Sequence, residues 1–296
     1  MDSARVAAHL ILGPRQEPFL PALLLSLVGV AETVIVNDNA PDPSPHASDL
    51  TTNDFARAGR LVVDRTPFTD FSTARNICLR VHRERDAGDW IAFVDSDEVH
   101  GPQAQNIARR LGRVPAEIDF VDGYTWHFIQ SFDWYMSIER RMSFFRYRPG
   151  AQWVNPVHEQ LHGLAGRRIA LPYVYAHYGW VLPVGRQTEK EKLYSRLGAP
   201  SDVFSGDALT SDDPKSYFRD WWPIALRFRG KHPVAARGTI DEMRRQNGEL
   251  FAATDRYVEA SQTASTRLRN VVMNLNYEQR WRTRAFNPLA RTLCGS

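Results

Sequence analysis

The stretch WIAFVDSDEV, residues 90–99, decides the fold that this sequence predicts. Five apolar residues of the kind found in strands are followed at once by three acids, Asp95, Asp97 and Glu98. Carboxylates at the end of a buried strand are costly unless they hold a cation or a polar ligand. The alternative interpretation is an acidic loop that caps a helix beginning near Pro102. The three acids are therefore the first candidate site.

The composition permits a globular enzyme and excludes little else. The chain has 296 residues, 43% of them hydrophobic and 11% aromatic, which is enough to bury a large core. Its 37 basic residues nearly match its 34 acidic ones, so net charge indicates no nucleic-acid partner. Two distant cysteines, Cys78 and Cys294, form neither a disulfide framework nor a metal knuckle, and a reducing cytoplasm is expected. The apolar run at 19–31 is too short to span a bilayer and predicts a buried helix.

The first hundred residues alternate between strand-like and helix-like patterns, which predicts a mostly parallel sheet. Ligands of such sheets collect at the carboxyl ends of the strands. Asn37, Asp38 and Asp95 fall at those ends, so we expect them to face one crevice. The predicted strands are 4–12, 32–38, 60–64 and 90–95, and the predicted helices are 18–29 and 71–86.

The pattern changes after residue 118 to aromatic strands broken by Gly and Pro, which predict a smaller antiparallel part and a wall for the crevice. The expected fold is therefore α/β, with a catalytic domain over 1–197 and a C-terminal helical segment over 198–296. The aromatic strands are predicted at 118–130, 142–148 and 167–180, and helices at 186–197, 214–229, 233–251 and 255–284.

Several blocks in order along residues 4–197 resemble the family 2 glycosyltransferases of GT-A fold, whose hallmark is a DxD motif. The order of the blocks is more specific than DxD alone. Two departures stand out: the turn after the second strand begins with Asn37 rather than Asp, and GPRQE at 13–17 replaces the usual Asn-Glu pair. The matching blocks are FSTARNICLRVHRERDAGDWIAFVDSDE (71–98), ETVIVNDNAPD (32–42), WVNPVHEQL (153–161) and YAHYGW (175–180).

The resemblance implies inverting transfer of a hexose from a nucleotide diphosphate sugar to an unknown acceptor, with a UDP-sugar as the favoured donor. A Mg²⁺ or Mn²⁺ ion that bridges the diphosphate would stabilise its growing charge, and such ions prefer oxygen ligands. Asp97 is the expected metal ligand, and by resemblance His177 completes the shell. Asp95 is expected to contact the ribose, or the metal through water. The alternative for His177 is a structural residue held by hydrogen bonds.

The donor is expected to contact further residues. By resemblance, Asn37 and Asp38 lie where the family contacts the nucleoside. Arg75 is expected either to bind the diphosphate or to form a structural ion pair with Asp95.

Glu159 is the candidate general base that removes a proton from the acceptor. A structural role for Glu159, as the buried partner of a basic residue such as Arg146, is the alternative. Asp122 and Asp133 are the reserve candidates for the base.

Other classes of protein compete with this interpretation. HEQLH, residues 158–162, matches the zinc-hydrolase pattern with His158, Glu159 and His162, but that chemistry needs a sustained helix, and Gly163 follows at once. A non-catalytic sugar- or lipid-binding protein stays open. A nucleotidyltransferase is disfavoured because no Gly-rich, basic phosphate loop follows the first strand.

The aromatic and basic segment at 215–233 suits either association with a membrane surface or packing in the core. Oligomeric state is not predicted.

Overall fold

The computed structural model describes residues 3–181, 184–198 and 222–271. Within these ranges the chain forms a nine-stranded mixed sheet and a separate two-stranded hairpin, with helices beside the sheet. The strands are β1 (Val6–Leu12), β2 (Thr33–Asp38), β3 (Leu61–Asp64), β4 (Trp90–Phe93), β5 (Glu98–His100), β6 (Ile118–Ile129), β7 (Trp134–Arg146), β8 (Gln152–Val154), β9 (Gln160–His162), β10 (Arg167–Trp180) and β11 (Leu226–Arg227). The helices are α1 (Leu20–Leu27), α2 (Ala47–Thr52), α3 (Asp54–Arg57), α4 (Phe71–Arg85), α5 (Ile107–Leu111), α6 (Val184–Arg196) and α7 (Arg237–Ser261).

The N-terminal half of the sheet is parallel and has the order β3-β2-β1-β4. The central strand β1 is covered on both faces, which explains why its sequence is a nearly continuous apolar run. The helices α1 and α4 make the crossovers that parallel strands require. The four strands and two helices predicted for this region are therefore confirmed.

The other half of the sheet continues in the order β7-β6-β10-β5. β7 runs antiparallel to both β4 and β6, whereas β10 runs parallel to β6. The predicted α/β fold with a mixed sheet is thus confirmed. The acids at residues 95–98 do not cap a helix directly, because β5 begins at Glu98 and pairs with β10 before the short helix Pro102–Asn106.

The C-terminal predictions are confirmed only in part. α6 matches the predicted helix at 186–197. The predicted helix at 214–229 is wrong over its described part, where a single 3₁₀ turn, Trp222–Ile224, leads into strand β11. Pro223, inside that turn, cannot continue a helix.

The helices predicted at 233–251 and 255–284 do not break where expected. α7 runs on to Ser261, with one distorted residue at Asn247, and residues 264–271 are helical. Residues 214–221 and 272–284 of the predicted helices lie outside the described residues.

The C-terminal residues pack on the sheet. β11 pairs with β7, and Ile240 and Phe251 of α7 share a hydrophobic cluster with Phe128 of β6. The proposed domain boundary near residue 197 stays a prediction. No helix in the described part of the chain is both long enough and apolar enough to cross a bilayer.

Helix α4 determines where the site is built, because its first two turns join the sheet to the β8–β9 hairpin. Asp70 caps its N-terminus, accepting from the Thr73 N–H at 2.8 Å. The side-chain amide of Asn76 exchanges two 2.9 Å hydrogen bonds with the backbone of Trp153 in β8. Phe71 adds a bond from its N–H to the carbonyl of Pro156 at 3.0 Å. The loop that follows β8 is thereby fixed against α4.

We expect Asp70→Ala to lower the free energy of unfolding at pH 7 by about 1 kcal/mol, because it removes an N-cap. Partial burial would raise the pKa of Asp70, but its hydrogen bonds to Thr73 and Ser72 outweigh burial and lower the pKa. The stabilisation is therefore present above the unfolded pKa of about 3.9 and is lost as pH falls through the lower folded pKa. Urea unfolding between pH 3 and pH 7 measures this.

The control is Asp241→Ala, which removes an exposed acid from α7. An equal loss in both variants, or a loss for Asp70→Ala that does not shrink in acid, would contradict the assignment of Asp70 as a stabilising cap.

Candidate active site

A cleft of about 750 Å³ lies at the carboxyl ends of the parallel strands, between α4, the β8–β9 hairpin and α6. It is the crevice that an α/β sheet of this topology offers to ligands. Charged side chains of both signs line it, which is typical of a polar ligand site. The acids include Asp95, Asp97 and Glu159, and the cations include Arg75, Arg141 and Lys190.

The centre of the site is the guanidinium of Arg75, which is only 3% exposed. It donates to Asp95 Oδ1 at 2.6 Å and to Glu159 Oε1 at 3.4 Å. Two carbonyls, of His9 at 3.4 Å and Val94 at 3.2 Å, accept its remaining bonds. The guanidinium also lies over the Phe93 ring, 4.1 Å from its centroid. The structural ion pair considered for Arg75 is thus what the structure contains, and the cation holds two cleft acids in place.

A second cation, Arg141 of β7, closes the cluster from the other side. Its guanidinium lies 3.5 Å from Asp95 Oδ2 and 3.4 Å from Glu98 Oε1. The Asp95 N–H donates to Glu98 Oε2 at 3.2 Å. Glu98 is therefore a buried support of the acidic turn.

Asp97 and His177 lie together at the rim of the cleft, with Asp97 Oδ1 3.3 Å from His177 Nε2. Both residues are buried, yet Oδ1 has no hydrogen-bond partner among the described residues. A carboxylate oxygen in this condition is costly unless a ligand satisfies it. Gly179 makes room for the carboxylate, since a Cβ at that position would lie 2.2 Å from Asp97 Oδ2.

Behind His177 stands a row of polar groups that the sequence did not reveal. His177 Nδ1 lies 3.1 Å from His127 Nδ1, and His127 Nε2 lies 3.2 Å from Glu139 Oε2. When Nδ1 of His177 donates to His127, Nε2 of His177 is left as a lone pair that faces Asp97. A carboxylate or second ring behind a ligating imidazole orients it for a metal.

Helix α6 covers the cleft opposite the sheet. Its Tyr194 ring packs on Phe71, at 5.5 Å between centroids, and on His158, at 5.8 Å. Glu189 of α6 accepts from Arg15 at 2.5 Å, which ties the helix to the loop after β1. Arg15 of the GPRQE segment is thus paired with an acid at the cleft wall.

The adjacent acids differ in how the protein shifts their pKa values. Burial would raise the pKa of Asp95, but the charges of Arg75 and Arg141 outweigh burial and hold it well below its usual range. Burial, and then the charge of Asp95, raises the pKa of Asp97, which Lys190 only partly opposes. Burial and the same neighbour raise the pKa of Glu98 well above its usual value. One ionised carboxylate thus sits beside two that resist ionisation until positive charge arrives.

The pKa of His177 is lowered well below its usual value, chiefly by burial and then by His127. A neutral imidazole is the form that ligates a metal ion. A divalent cation would therefore find His177 in its ligating form and would favour ionisation of Asp97.

Glu159 lies in the cleft between β8 and β9, as the sequence predicted for a catalytic group. Its partner is Arg75, so the suggestion that Arg146 pairs with it is wrong: Arg146 donates to the carbonyls of Ile118 and Val114. Of the two carboxylate oxygens of Glu159, Oε1 has a hydrogen-bond partner among the described residues and Oε2 has none. Oε2 is left for a ligand.

The zinc-hydrolase alternative fails on geometry. His158 has a left-handed backbone, with φ of 52°, and β9 includes His162, so the HEQLH residues form no helix. The two imidazoles therefore do not lie one helical turn apart on a shared face. The described residues include no group of three or more His, Cys, Asp or Glu side chains arranged around a possible metal.

Asn37 and Asp38 are at the end of β2, as predicted, but their side chains are buried and engaged. The Asn37 amide donates to the Thr66 carbonyl at 3.1 Å, and Asp38 pairs with Arg65. The cleft is lined instead by the next residue, Asn39, whose Oδ1 is buried without a partner among the described residues. Nucleoside contacts by Asn37 and Asp38 stay a prediction, and Asn39 is the residue that the sequence argument missed.

The reserve acids are not in the cleft. Asp122 is buried against Arg140 of β7, at 2.7 Å. Asp133 pairs with Arg244 of α7 at 3.0 Å. Both acids have structural partners and do not line the cleft that contains Glu159.

The residues present fit a divalent cation at Asp97 and His177. The unpartnered, buried Oδ1 of Asp97 and the adjacent Nε2 of His177 offer one oxygen and one nitrogen ligand. Two protein ligands are few, but Mg²⁺ and Mn²⁺ in phosphate-binding sites take their other ligands from substrate phosphates and water.

The comparisons with known proteins are weak. No protein-family model matches the sequence, and no curated protein matches it. Among solved structures, a mannosyltransferase, PcManGT from Pyrobaculum calidifontis in complex with GDP-Man and Mn2+, is similar with a TM-score of 0.41 and 14% identity, covering 99% of this chain and 84% of that one. TarS 1-349 of S. aureus in complex with UDP has a TM-score of 0.39 and 13% identity, covering 67% of this chain and 68% of that one. Both TM-scores are below 0.5, and we base no conclusion on them.

We expect Gly179→Ala to displace the Asp97 carboxylate, because the new methyl group would meet Oδ2 at 2.2 Å. Mn²⁺ affinity, measured by electron paramagnetic resonance of the free ion, should fall roughly 10- to 100-fold. The matched control is Gly13→Ala at the same cleft, where the new methyl group meets nothing within 4 Å. If both variants bind Mn²⁺ as the parent chain does, Asp97 is not a ligand.

Proposed function

We propose that the protein is a metal-dependent glycosyltransferase, similar to family 2 enzymes of GT-A fold, that moves a sugar from a nucleotide diphosphate sugar to an acceptor. The observation that carries the proposal is the pair of Asp97 and His177, which presents an unpartnered carboxylate oxygen at the rim of a cleft of about 750 Å³. The order of the sequence blocks that resemble that family supports the same conclusion.

Asp97 Oδ1 and His177 Nε2 would hold Mg²⁺ or Mn²⁺. A bound ion of this kind supplies positive charge beside the donor diphosphate, whose negative charge grows as it leaves. Lys190 and Arg141 line the same cleft and add two further cations. Their charges favour a diphosphate over a neutral sugar in this part of the cleft.

Glu159 is the proposed base. Its carboxylate takes the proton of the acceptor hydroxyl, the acceptor oxygen forms a bond to the anomeric carbon, and the bond from that carbon to the diphosphate oxygen breaks. The nucleoside diphosphate leaves with the electron pair, and one displacement inverts the configuration. The bond from Arg75 holds Oε1 of Glu159 so that Oε2 can face the acceptor.

The favoured donor is a UDP-sugar, by resemblance only. Asn39 is the proposed polar contact for the nucleoside, because its Oδ1 is buried at the cleft wall and unpartnered among the described residues. An amide oxygen there would accept a hydrogen bond from a base or ribose. In this proposal, Asn37 and Asp38 contribute by fixing the position of the turn that contains Asn39.

A non-catalytic sugar- or lipid-binding protein is the second candidate. It would bind a nucleotide sugar without releasing the nucleotide, even on long incubation. A panel of nucleotide sugars, incubated with Mn²⁺ and with a chelator, separates the two, since slow metal-dependent hydrolysis of one donor requires a catalytic site.

We expect UDP with Mn²⁺ to raise the melting temperature of the protein by roughly 5 °C at a concentration near 100 times its dissociation constant. Chelation of the metal, or Asp97→Asn, should abolish most of that shift. The control Asp86→Asn makes the same change at a surface acid with φ of 46°, a conformation that Asn tolerates. A shift that survives both chelation and Asp97→Asn contradicts the metal site.

We expect Glu159→Gln to lower the rate of sugar transfer by about 10²- to 10⁴-fold, the contribution of a general base. Nucleotide binding should stay unchanged, since Gln keeps an oxygen for Arg75. The control is Asp133→Asn, an acid outside the cleft that is paired with Arg244. Full activity in Glu159→Gln would remove Glu159 from the role of base.

A further inference from the structure

A second cavity, of about 710 Å³, lies on the opposite face of the sheet and shares no lining residue with the cleft. Its walls come from α1, from β6 and β10, and from residues 228–237. Neighbours along a strand point to opposite faces. Ala176 and Trp126 accordingly line this cavity, whereas His177 and His127 lie on the other face, with their Nδ1 atoms 3.1 Å apart.

The walls of the cavity are apolar. Trp126 and Phe128 form its floor, and both are almost fully buried. At its mouth stand Leu25, 57% exposed, and Val234, 76% exposed. Large apolar side chains exposed next to an apolar cavity indicate a binding site for an apolar group.

The charged side chains of the cavity lining are all basic. Arg229, Lys231 and Arg237 line it and are exposed, and none of the three forms an ion pair with a described acid. The cavity lining described here includes no Asp or Glu at all. Charge complementarity therefore favours a ligand with a negative group over a neutral or positive one.

His100 adds an independent sign of a ligand. It lines the cavity, is only 6% exposed, and its Nε2 has no hydrogen-bond partner among the described residues. Its Nδ1 lies 2.6 Å from the Tyr173 hydroxyl, and when that hydroxyl donates to Nδ1, Nε2 carries the proton. Burial lowers the pKa of His100 to about 3, which keeps the ring neutral. A buried N–H without an acceptor is costly, and a ligand oxygen would satisfy it.

We propose that this cavity binds a single-chain anionic amphiphile, a hydrocarbon chain with a carboxylate or phosphate head. The chain lies against Trp126 and Phe128, the head faces Arg229, Lys231 and Arg237, and an oxygen of the ligand accepts from His100. The site takes one molecule at a time. It is independent of the proposed function, because its walls are separate from the donor cleft.

The test compares three probes with the same twelve-carbon chain, below their micellar concentrations. Isothermal titration should give one saturable site for dodecanoate. Dodecanol should bind about tenfold more weakly and dodecyltrimethylammonium weaker still, because they lack the negative head. Equal affinity for the three probes, or binding that never saturates, would overturn the proposal.

Substitutions at two exposed positions, Lys231 and Val234, test the site without changing a core residue. Lys231→Glu should weaken dodecanoate about tenfold and strengthen dodecyltrimethylammonium, a reversal that general destabilisation cannot produce. Val234→Asp should weaken dodecanoate, because it removes an apolar contact and adds a charge that repels the head group. The matched control is Leu268→Asp, at a 66% exposed residue that does not line the cavity, and it should bind as the parent chain does.

Two further measurements separate this site from other interpretations. Asp97→Asn should bind dodecanoate normally, so failure of the proposed function leaves this result untouched. Flotation with vesicles of anionic phospholipid tests the alternative that the patch is a membrane-docking surface. Vesicle binding without one-to-one binding of dodecanoate would overturn the single-ligand site.

Discussion

The structure of the cleft depends on one buried charge, the guanidinium of Arg75. A cation removed from water is stable only if acids and carbonyls replace its hydration. Here the replacements come from every element around the cleft: carbonyls from β1 and the end of β4, Asp95 from the acidic turn, and Glu159 from the β8–β9 hairpin. Removal of any one of them leaves charge uncompensated, so these elements hold one another in position.

This arrangement also gives neighbouring carboxylates different properties. Asp95 is neutralised by Arg75 and Arg141, and in turn its charge makes ionisation of Asp97 unfavourable. In such a site, added positive charge stabilises the ionised form of Asp97, whereas Asp95 already has cationic partners. It follows that a cation entering the cleft is attracted to the rim, near His177 and Gly179, rather than to the interior.

Much of this could be predicted from the sequence, because the relevant signals are local. The apolar runs of β1 and β4 and the capped helix α4 are visible in short windows, and acids at a strand end mark the crevice. Glu159 could be placed only by resemblance, since its contact with Arg75 joins residues 84 positions apart. The row from His177 to Glu139 could not be predicted, because it depends on which residues of β6, β7 and β10 lie opposite one another.

The wrong helix prediction at 214–229 and the positions of Asn37 and Asp38 both reflect tertiary contacts that a short sequence window does not contain. Residues 222–229 look helical in a short window, yet Leu226 and Arg227 extend the sheet beside β7, where tertiary pairing outweighs local propensity. At β2 the expected polar contacts are buried one residue before the position that reaches the cleft. Which residue reaches the cleft depends on the direction in which each side chain points at the end of the strand and in the turn. Composition carries no information about that direction.

The same alternation links the two sites that we propose. In β10, His177 lies beside Asp97 and Ala176 faces the second cavity, and their partners in β6 are His127 and Trp126. A slip of one residue would exchange the two faces, placing a histidine in the apolar cavity and an alanine beside Asp97. Tyr178 fixes the register further, since its N–H donates to the Asp97 carbonyl at 2.9 Å and its hydroxyl lies 2.8 Å from His232 Nδ1 at the cavity wall. The register of one strand pair therefore sets which side chains lie on each face of the sheet.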